Sequence, residues 1–321
     1  MLLKFDEVCN IIHSGVLLHI AGTEALLKKL PKGNWIGGST EYFMAADGGK
    51  ISNDTLFVTS FPNMDFKIAA YNSDTIKDVT ADAYDNGFSI VIIPFESEVH
   101  KAYAHNAAGF EGMFIKNIVG WIAGINLGVP GQVPVAVNGQ TGVVSSDEAV
   151  VLHLCVPDDK TVNIGIVNIF NQDENMPTIE FDEEGFSVCK CRVNGEETIF
   201  SDYIAQNSID TRLPLVGDYS GAGVNISIKT VENDSVSFYA PVFKDIKYRI
   251  AKPVSNYAKE FSERLVPFKD TESMFSCNCV LNFLYGGLEG KDIDTFHGPI
   301  TFGEIAYQLV NQTLVYVTIL D

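Results

Sequence analysis

The residues best suited to chemistry lie in two stretches of the chain. The C-terminal stretch contains Phe275-Ser-Cys-Asn-Cys-Val280, then His297, and then a Gly303-Glu304 pair. A cysteine, a histidine and a carboxylate that meet in space could activate a thiolate nucleophile. The N-terminal stretch, Ile36-Gly-Gly-Ser-Thr-Glu41, follows a predicted strand and could hold an anion through backbone N–H groups. It lacks a phosphate-loop lysine, so a tight turn is the favoured interpretation.

Each candidate in the C-terminal stretch also has a structural interpretation. Cys277 lies in an apolar strand pattern, where a buried free cysteine commonly serves packing. Glu304 is predicted near the start of a helix over 302–310, where the helix dipole favours a carboxylate. His297 lies in a predicted Gly-Pro loop close to Glu304 in sequence. A hydrolase or transferase that uses Cys277 or a carboxylate therefore stays open beside a non-enzymatic function.

Two C-x-C pairs raise the question of a metal site. Cys189 with Cys191, and Cys277 with Cys279, would each place two thiols on one face of a strand. Zinc sites ordinarily use C-x-x-C spacing, and the sequence contains no H-E-x-x-H pattern. We therefore predict no metal site and no cofactor.

The charge balance narrows the range of partners. The chain has 321 residues, with 22 Lys+Arg against 41 Asp+Glu and a formal net charge of −19. That charge repels phosphate backbones and anionic lipid, so neither a nucleic acid nor a membrane is an expected partner. The N-terminus lacks a basic region before an apolar run, and the longest uncharged stretch, 117–146, is interrupted by prolines and glycines. We therefore predict a cytoplasmic protein.

Hydrophobic patterns predict strands that alternate with helices. Apolar runs at 15–21 and 34–38 flank a helix capped by Thr23, which makes a β-α-β unit with parallel strands. Further helices are predicted at 6–12, 74–86, 97–106, 253–265 and 302–310. Short glycine-punctuated strands prevail from residue 113, the polar segment 171–177 marks a boundary, and no short-period repeat occurs. The sequence thus predicts an α/β to α+β fold of mixed sheets flanked by helices, in two domains over 1–172 and 173–321.

The C-terminal half, from about residue 213, resembles the C-terminal region of the FIST sensory domains. The matching segments are Arg212-Leu-Pro-Leu215, Ser235–Ala240 before Pro241, Tyr248-Arg-Ile-Ala251, Phe275-Ser-Cys277, Gly298, Phe302-Gly-Glu304 and Asn311-Gln-Thr313. The N-terminal half resembles the FIST N-terminal region through Gly33-Asn-Trp-Ile-Gly-Gly-Ser-Thr40. The family often continues its Ser-Cys with a Gly-Arg element, whereas Asn278-Cys279-Val280 follows here, so a role for that arginine is not carried over.

The resemblance implies a bacterial sensory protein that binds a small molecule, with a FIST N-like and a FIST C-like domain. Such domains are proposed to signal to fused kinase, cyclase or chemotaxis domains. Some are regarded as haem-binding, so the resemblance leaves a haem or metal sensor that binds through a histidine as an alternative. No output domain fits within these residues, so the expected partners are a small-molecule ligand and a separate signalling protein. The ligand-binding residues that we predict from loops and strand ends are Ser39, Glu41, Cys277, Asn278, His297, Gly303 and Glu304.

Overall fold

The computed structural model describes residues 1–219, 221–268, 272–291, 293 and 296–320 of the chain. Strands hold 42% of the residues and helices 17%, so sheet dominates. This confirms the α/β to α+β class, with mixed sheets flanked by helices. No helix within these described ranges is long and apolar enough to cross a membrane.

Three units of the chain repeat one order of elements. Each unit has a leading strand, a β-α-β element with parallel strands, a hairpin and a closing strand. The first contains β1 (Leu2–Lys4), α1 (Phe5–His13), β2 (Leu18–Gly22), α2 (Glu24–Leu27), β3 (Trp35–Ser39), β4 (Tyr42–Ala45), β5 (Gly48–Ile51) and β6 (Thr55–Ser60). The second contains β7 (Phe66–Tyr71), β8 (Gly87–Pro94), α3 (Glu98–Asn106), β9 (Asn117–Ala123), β10 (Ala136–Asn138), β11 (Val143–Ser145) and β12 (Ala149–Cys155).

The third unit is interrupted by an inserted lobe, residues 168–252. The unit begins with β13 (Thr161–Val167). The lobe holds β14 (Ile179–Glu180), β15 (Gly185–Val188), β16 (Lys190–Val193), β17 (Glu196–Ile199), α4 (Phe200–Gln206), β18 (Leu215–Tyr219), β19 (Ala222–Ile226), β20 (Ile228–Val231), β21 (Val236–Val242) and β22 (Tyr248–Ile250). The unit resumes with α5 (Tyr257–Leu265), β23 (Phe275–Cys279), α6 (Val280–Tyr285), β24 (Gly298–Thr301), β25 (Glu304–Ala306), β26 (Gln308–Val310) and β27 (Leu314–Leu320).

The three units exchange their hairpins in a cycle. Their six-stranded sheets have the orders β1-β6-β2-β3-β10-β11, β7-β12-β8-β9-β25-β26 and β13-β27-β23-β24-β4-β5. In each sheet, four strands belong to one unit and the last two are the hairpin of another unit. The second unit thus completes the sheet of the first, the third completes that of the second, and the first completes that of the third.

The inserted lobe builds two sheets of its own and is tied to the third unit by buried polar contacts. Its strand orders are β17-β16-β14-β22-β18-β19 and β15-β21-β20. Asn225 Nδ2 donates to the Asn311 carbonyl oxygen at 3.1 Å, and Ser227 Oγ donates to Gln312 Oε1 at 2.8 Å. Because buried polar groups are costly when unpaired, these bonds hold the lobe in one position.

The predicted domain boundary between residues 172 and 173 lies near the start of the inserted lobe but does not separate the sheets. The second six-stranded sheet combines β7–β9 and β12 with β25 and β26, and the third combines β4, β5 and β13 with β23, β24 and β27. Strands from both sides of that boundary therefore share two of the three sheets that the units build together.

Two of the predicted helices are corrected by the structure. The helix predicted over 74–86 is a single 3₁₀ turn at Ile76–Val79. Just before it, Asn72 Oδ1 accepts from the backbone N–H groups of Asp74 and Thr75, which competes with helix formation.

The helix predicted over 302–310 is wrong, because this segment forms β25 and β26. Gly303 has φ +155°, and Glu304–Ala306 then pairs antiparallel with β9. Pairing with a distant strand therefore overrides the local pattern.

We predict that Gly120→Ala strongly destabilises the fold, because β9 lies against β8 without space for a side chain. A Cβ at Gly120 would lie 1.9 Å from the Val91 carbonyl oxygen, and its φ is +155°. We expect the free energy of unfolding, measured by urea titration, to fall by at least about 2 kcal/mol. Gly109→Ala is the control, since nothing lies within 4 Å of a Cβ there. Equal effects of the two variants would contradict this packing.

Candidate functional site

The carboxyl ends of the three parallel strand pairs are the places where this fold can build a site. Ligands of open α/β sheets commonly bind outside the carboxyl ends of the strands. The pairs here are β2 with β3, β8 with β9 and β23 with β24. The predicted residues divide between the first and the third of these positions.

The first position is a cavity of about 510 Å³, which we call the Glu41 pocket. Its lining residues are Thr23, Glu24, Ala25, Ser39, Thr40, Glu41, Asn53, Gly124, Ile125, Gln132 and Val133. They come from the start of α2, the end of β3, the turn between β5 and β6 and the loop between β9 and β10. Two of the predicted site residues, Ser39 and Glu41, therefore share this wall.

Ser39 joins the first unit to the second. Its Oγ donates to the Gly124 carbonyl oxygen at 2.8 Å and accepts from the Val135 backbone N–H at 2.9 Å. The side chain is 4% exposed. Its hydroxyl is engaged in these contacts, so we assign it to shaping the pocket.

Glu41 is a buried carboxylate that is held by neutral groups. It is 7% exposed. Its Oε2 accepts from Asn126 Nδ2 and its Oε1 from Gln132 Nε2, each at 2.9 Å. The Tyr42 hydroxyl accepts from the Leu127 backbone N–H at 3.0 Å, which steadies the loop that carries these amides. A carboxylate has about four lone-pair sites, so Glu41 can accept further donors from a ligand.

The charges around the pocket favour a cation. None of its lining residues is basic. Glu24 forms an ion pair with Lys28 at 2.5 Å, whereas no ion pair of Glu41 is found in the described part of the chain. The Glu41 pocket therefore presents a carboxylate that no basic side chain of its lining neutralises.

The third position is filled by a buried polar cluster around Glu304, which is 0% exposed. Its Oε2 accepts from Thr313 Oγ1 at 2.8 Å and from the Thr313 backbone N–H at 3.2 Å. Its Oε1 accepts from Thr301 Oγ1 at 3.2 Å, and the Cys279 thiol also donates to the carboxylate. Burial outweighs these hydrogen bonds and raises the pKa of Glu304 to about 8.

The cysteines of the C-terminal stretch are packed in the interior. Cys277 and Cys279 are each 1% exposed, and burial raises the pKa of both thiols well above their ordinary value. Cys277 Sγ donates to the Gly120 carbonyl oxygen at 3.4 Å. Because the thiolate is the nucleophilic form, neither thiol is poised for attack at neutral pH.

Asn278 belongs to the same cluster as Glu304, since Thr301 Oγ1 also donates to the Asn278 carbonyl oxygen at 3.2 Å. Its Oδ1 accepts from Asn282 Nδ2 at 2.8 Å, while its Nδ2 has no hydrogen-bond partner within the described ranges.

Gly303 forms the turn before Glu304. His297 directly precedes the first residue of β24, at the end of that strand opposite to Thr301. Its carbonyl oxygen accepts a hydrogen bond from Ser276 Oγ at 2.9 Å. Ser39 and Glu41 thus line one pocket and Cys277, Asn278, Gly303 and Glu304 lie in or near the buried cluster, whereas His297 lies apart from both. None of the predicted residues of the C-terminal stretch lines the Glu41 pocket.

Several residues of the pocket and of the buried cluster were missed from the sequence. Asn126 and Gln132 lie in a loop whose glycines and prolines indicate only turns. Thr313 lies within a segment that resembles FIST domains and Thr301 directly precedes another. That resemblance is the one sequence feature that could have pointed to these two threonines. Asn282 follows from no sequence pattern, because its role depends on contacts that α6 makes only in the folded chain.

No group of three or more His, Cys, Asp or Glu side chains that could hold a metal ion occurs among the described residues. Cys189 is exposed, whereas Cys191 is buried.

The fold and site define a three-unit mixed α/β protein with an acidic pocket and a buried polar cluster at its strand ends. The chain belongs to the family of unknown function DUF6976, whose model matches residues 3–320. None of the curated proteins compared with the chain matches it.

We predict that Glu304 makes the fold less stable as the pH rises. The folded state holds its proton up to a pH of about 8, whereas the unfolded chain releases it near 4.5. Between these values the folded state binds more protons, so stability falls by up to about 1.4 kcal/mol per pH unit as the pH increases. Urea titrations at pH 5 and pH 8 should show this slope.

The glutamine in Glu304→Gln cannot ionise, so the part of the pH dependence that comes from residue 304 should vanish. The variant should therefore lose less stability than the natural protein between pH 5 and pH 8. Glu196→Gln, which changes an exposed carboxylate, should keep the slope of the natural protein. An unchanged slope in Glu304→Gln would show that this carboxyl group titrates normally.

Proposed function

We propose that the chain is a small-molecule-binding sensory protein whose ligand occupies the Glu41 pocket. The observation that supports this most strongly is Glu41, a buried carboxylate on the pocket wall whose hydrogen-bond partners are neutral amides. The volume of about 510 Å³ suits a ligand the size of an amino acid or a small metabolite.

The ligand carries an ammonium or guanidinium group that binds Glu41. Both of the charged residues that line the pocket are acidic, and Glu24 is already paired with Lys28. Asn53 and the hydroxyl donor of Thr23 also line the pocket and can orient the rest of the ligand, whereas Thr40 Oγ1 already donates to the Ile300 carbonyl oxygen. Charge-assisted hydrogen bonds are the stronger kind, so the amine supplies most of the affinity.

The sensory role is supported by the resemblance to FIST domains in both halves of the chain. On this proposal the protein is cytoplasmic and bacterial, and it passes its signal to a separate partner protein. The loop that carries Asn126 and Gln132 is the element best placed to respond, because it contacts the carboxylate that binds the ligand.

A hydrolase or transferase that uses a carboxylate is the second candidate. The raised pKa of Glu304 favours it, because strongly perturbed carboxyl groups cluster at catalytic sites. A screen with chromogenic esters on the natural protein and on Glu304→Gln tests this function. Turnover by the natural protein alone supports it, and turnover by neither protein counts against it.

We predict that Glu41→Gln weakens the recognition of cationic ligands. In a thermal-shift panel of amino acids and small amines, at least one amine should raise the melting temperature of the natural protein. Glu41→Gln should weaken the binding of that amine at least about tenfold, because the negative charge that pairs with the amine is lost.

Glu196→Gln is the matched control, since it makes the same change on the surface and should respond like the natural protein. If no compound stabilises the natural protein, the proposed function fails. If only neutral or anionic compounds stabilise the natural protein, the protein binds a ligand but Glu41 does not make the pocket selective for cations.

A further inference from the structure

A second cavity lies where the inserted lobe meets the second unit, and we call it the lobe cleft. It has a volume of about 410 Å³, within the range of small-molecule sites. Its lining residues are Phe95, Glu96, His100, Lys101, Phe186, Ser187, Lys229, Ser237 and Phe238. Phe95 and Glu96 directly follow β8, so the cleft has the same place in the second unit as the Glu41 pocket has in the first.

Aromatic side chains form the walls of the lobe cleft. The His100 ring contacts both the Phe95 ring and the Phe186 ring, with centroid distances of 5.5 and 5.3 Å. Phe95 and His100 belong to the second unit, whereas Phe186 and Phe238 belong to the inserted lobe. A flat ring that enters the cleft would therefore meet aromatic side chains of both the second unit and the inserted lobe.

His100 presents an unsatisfied hydrogen-bond donor. The side chain is 2% exposed, and its Nδ1 accepts from the Glu96 backbone N–H at 3.3 Å. Burial lowers the pKa of His100 to about 3, so the ring is neutral and carries its single proton on Nε2. That Nε2 has no hydrogen-bond partner in the described part of the chain. A buried donor without a partner is unusual, and an acceptor on a ligand would satisfy it.

The charged groups at the cleft are already neutralised. Lys229 of the inserted lobe forms an ion pair with Glu96 and lies over the Phe95 ring, 5.2 Å from its centroid. Lys101 pairs with Glu98 at 2.7 Å. Neither an anion nor a cation would find an unpaired partner among these side chains, so the cleft favours an uncharged occupant.

We propose that the lobe cleft binds an uncharged, planar heteroaromatic molecule whose carbonyl oxygen or ring nitrogen accepts a hydrogen bond from His100 Nε2. This site is separate from the Glu41 pocket and does not depend on the function proposed for that pocket. Because the ligand touches both the second unit and the inserted lobe, it joins the two across the Glu96–Lys229 ion pair.

The test uses the full-length protein with three probes, nicotinamide, 2-pyridone and uracil, and with nicotinate as a charged comparison. Titration calorimetry should show saturable binding of at least one uncharged probe and weaker binding of nicotinate. His100→Phe keeps an aromatic ring but removes the hydrogen-bond donor, so it should weaken the binding of that probe about tenfold. His13→Phe, on an exposed residue, and Glu41→Gln should bind it like the natural protein.

Two further measurements keep the test decisive if His100→Phe folds poorly. Phe186→Ala removes one aromatic wall at a half-buried position and should also weaken the probe. In the natural protein, the ¹⁵N signals of His100 should show a proton on Nε2 and should shift on binding. The proposal is overturned if none of the three uncharged probes binds saturably. It is also overturned if the probe that binds leaves the His100 signals unchanged or keeps its affinity in Phe186→Ala.

Discussion

The exchange of hairpins among the three units is the constraint on which the rest of the structure depends. Within its own unit, each of β3, β9 and β24 has a free edge, and an unpaired strand edge is a liability for a folded protein. The hairpins β10–β11, β25–β26 and β4–β5 cover these edges in turn. The same exchange builds the Glu41 pocket, because β10 docks on β3 and draws the preceding loop, with Asn126 and Gln132, over the end of β3.

The three strand-end positions show how one backbone plan supports different chemistry. The first is an open acidic pocket, the second is an aromatic cleft roofed by the inserted lobe, and the third is filled by the cluster around Glu304. Glu41 directly precedes β4 and Glu304 begins β25, so two carboxylates occupy nearly matching places in the repeat. Glu41 borders a cavity, whereas burial keeps Glu304 protonated near neutral pH. Side chains, and not the fold, therefore decide which position can bind a ligand.

Local patterns were sufficient for the parts of the fold that are local. The first β-α-β unit, the Thr23 cap and α3 follow from apolar runs and capping residues, and the structure contains all three. The exchange could not be predicted, because β25 finds its partner β9 nearly two hundred residues away and its short sequence also suits a helix. Ser39 and Glu41 could be selected because they follow a strand, whereas Asn126 and Gln132 reach Glu41 only through the docking of another unit.

The cyclic exchange also orders events during synthesis. The hairpin β4–β5 is complete by residue 51, yet its partner β24 spans Gly298–Thr301. Until residues 298–301 have been made, the outer edge of that hairpin has no native strand to pair with. The inserted lobe lengthens this interval, because it must be translated before β23–β27 appear. Nascent chains of this protein therefore carry an open sheet edge until β24 has been made, and an open edge of this kind favours association during that interval.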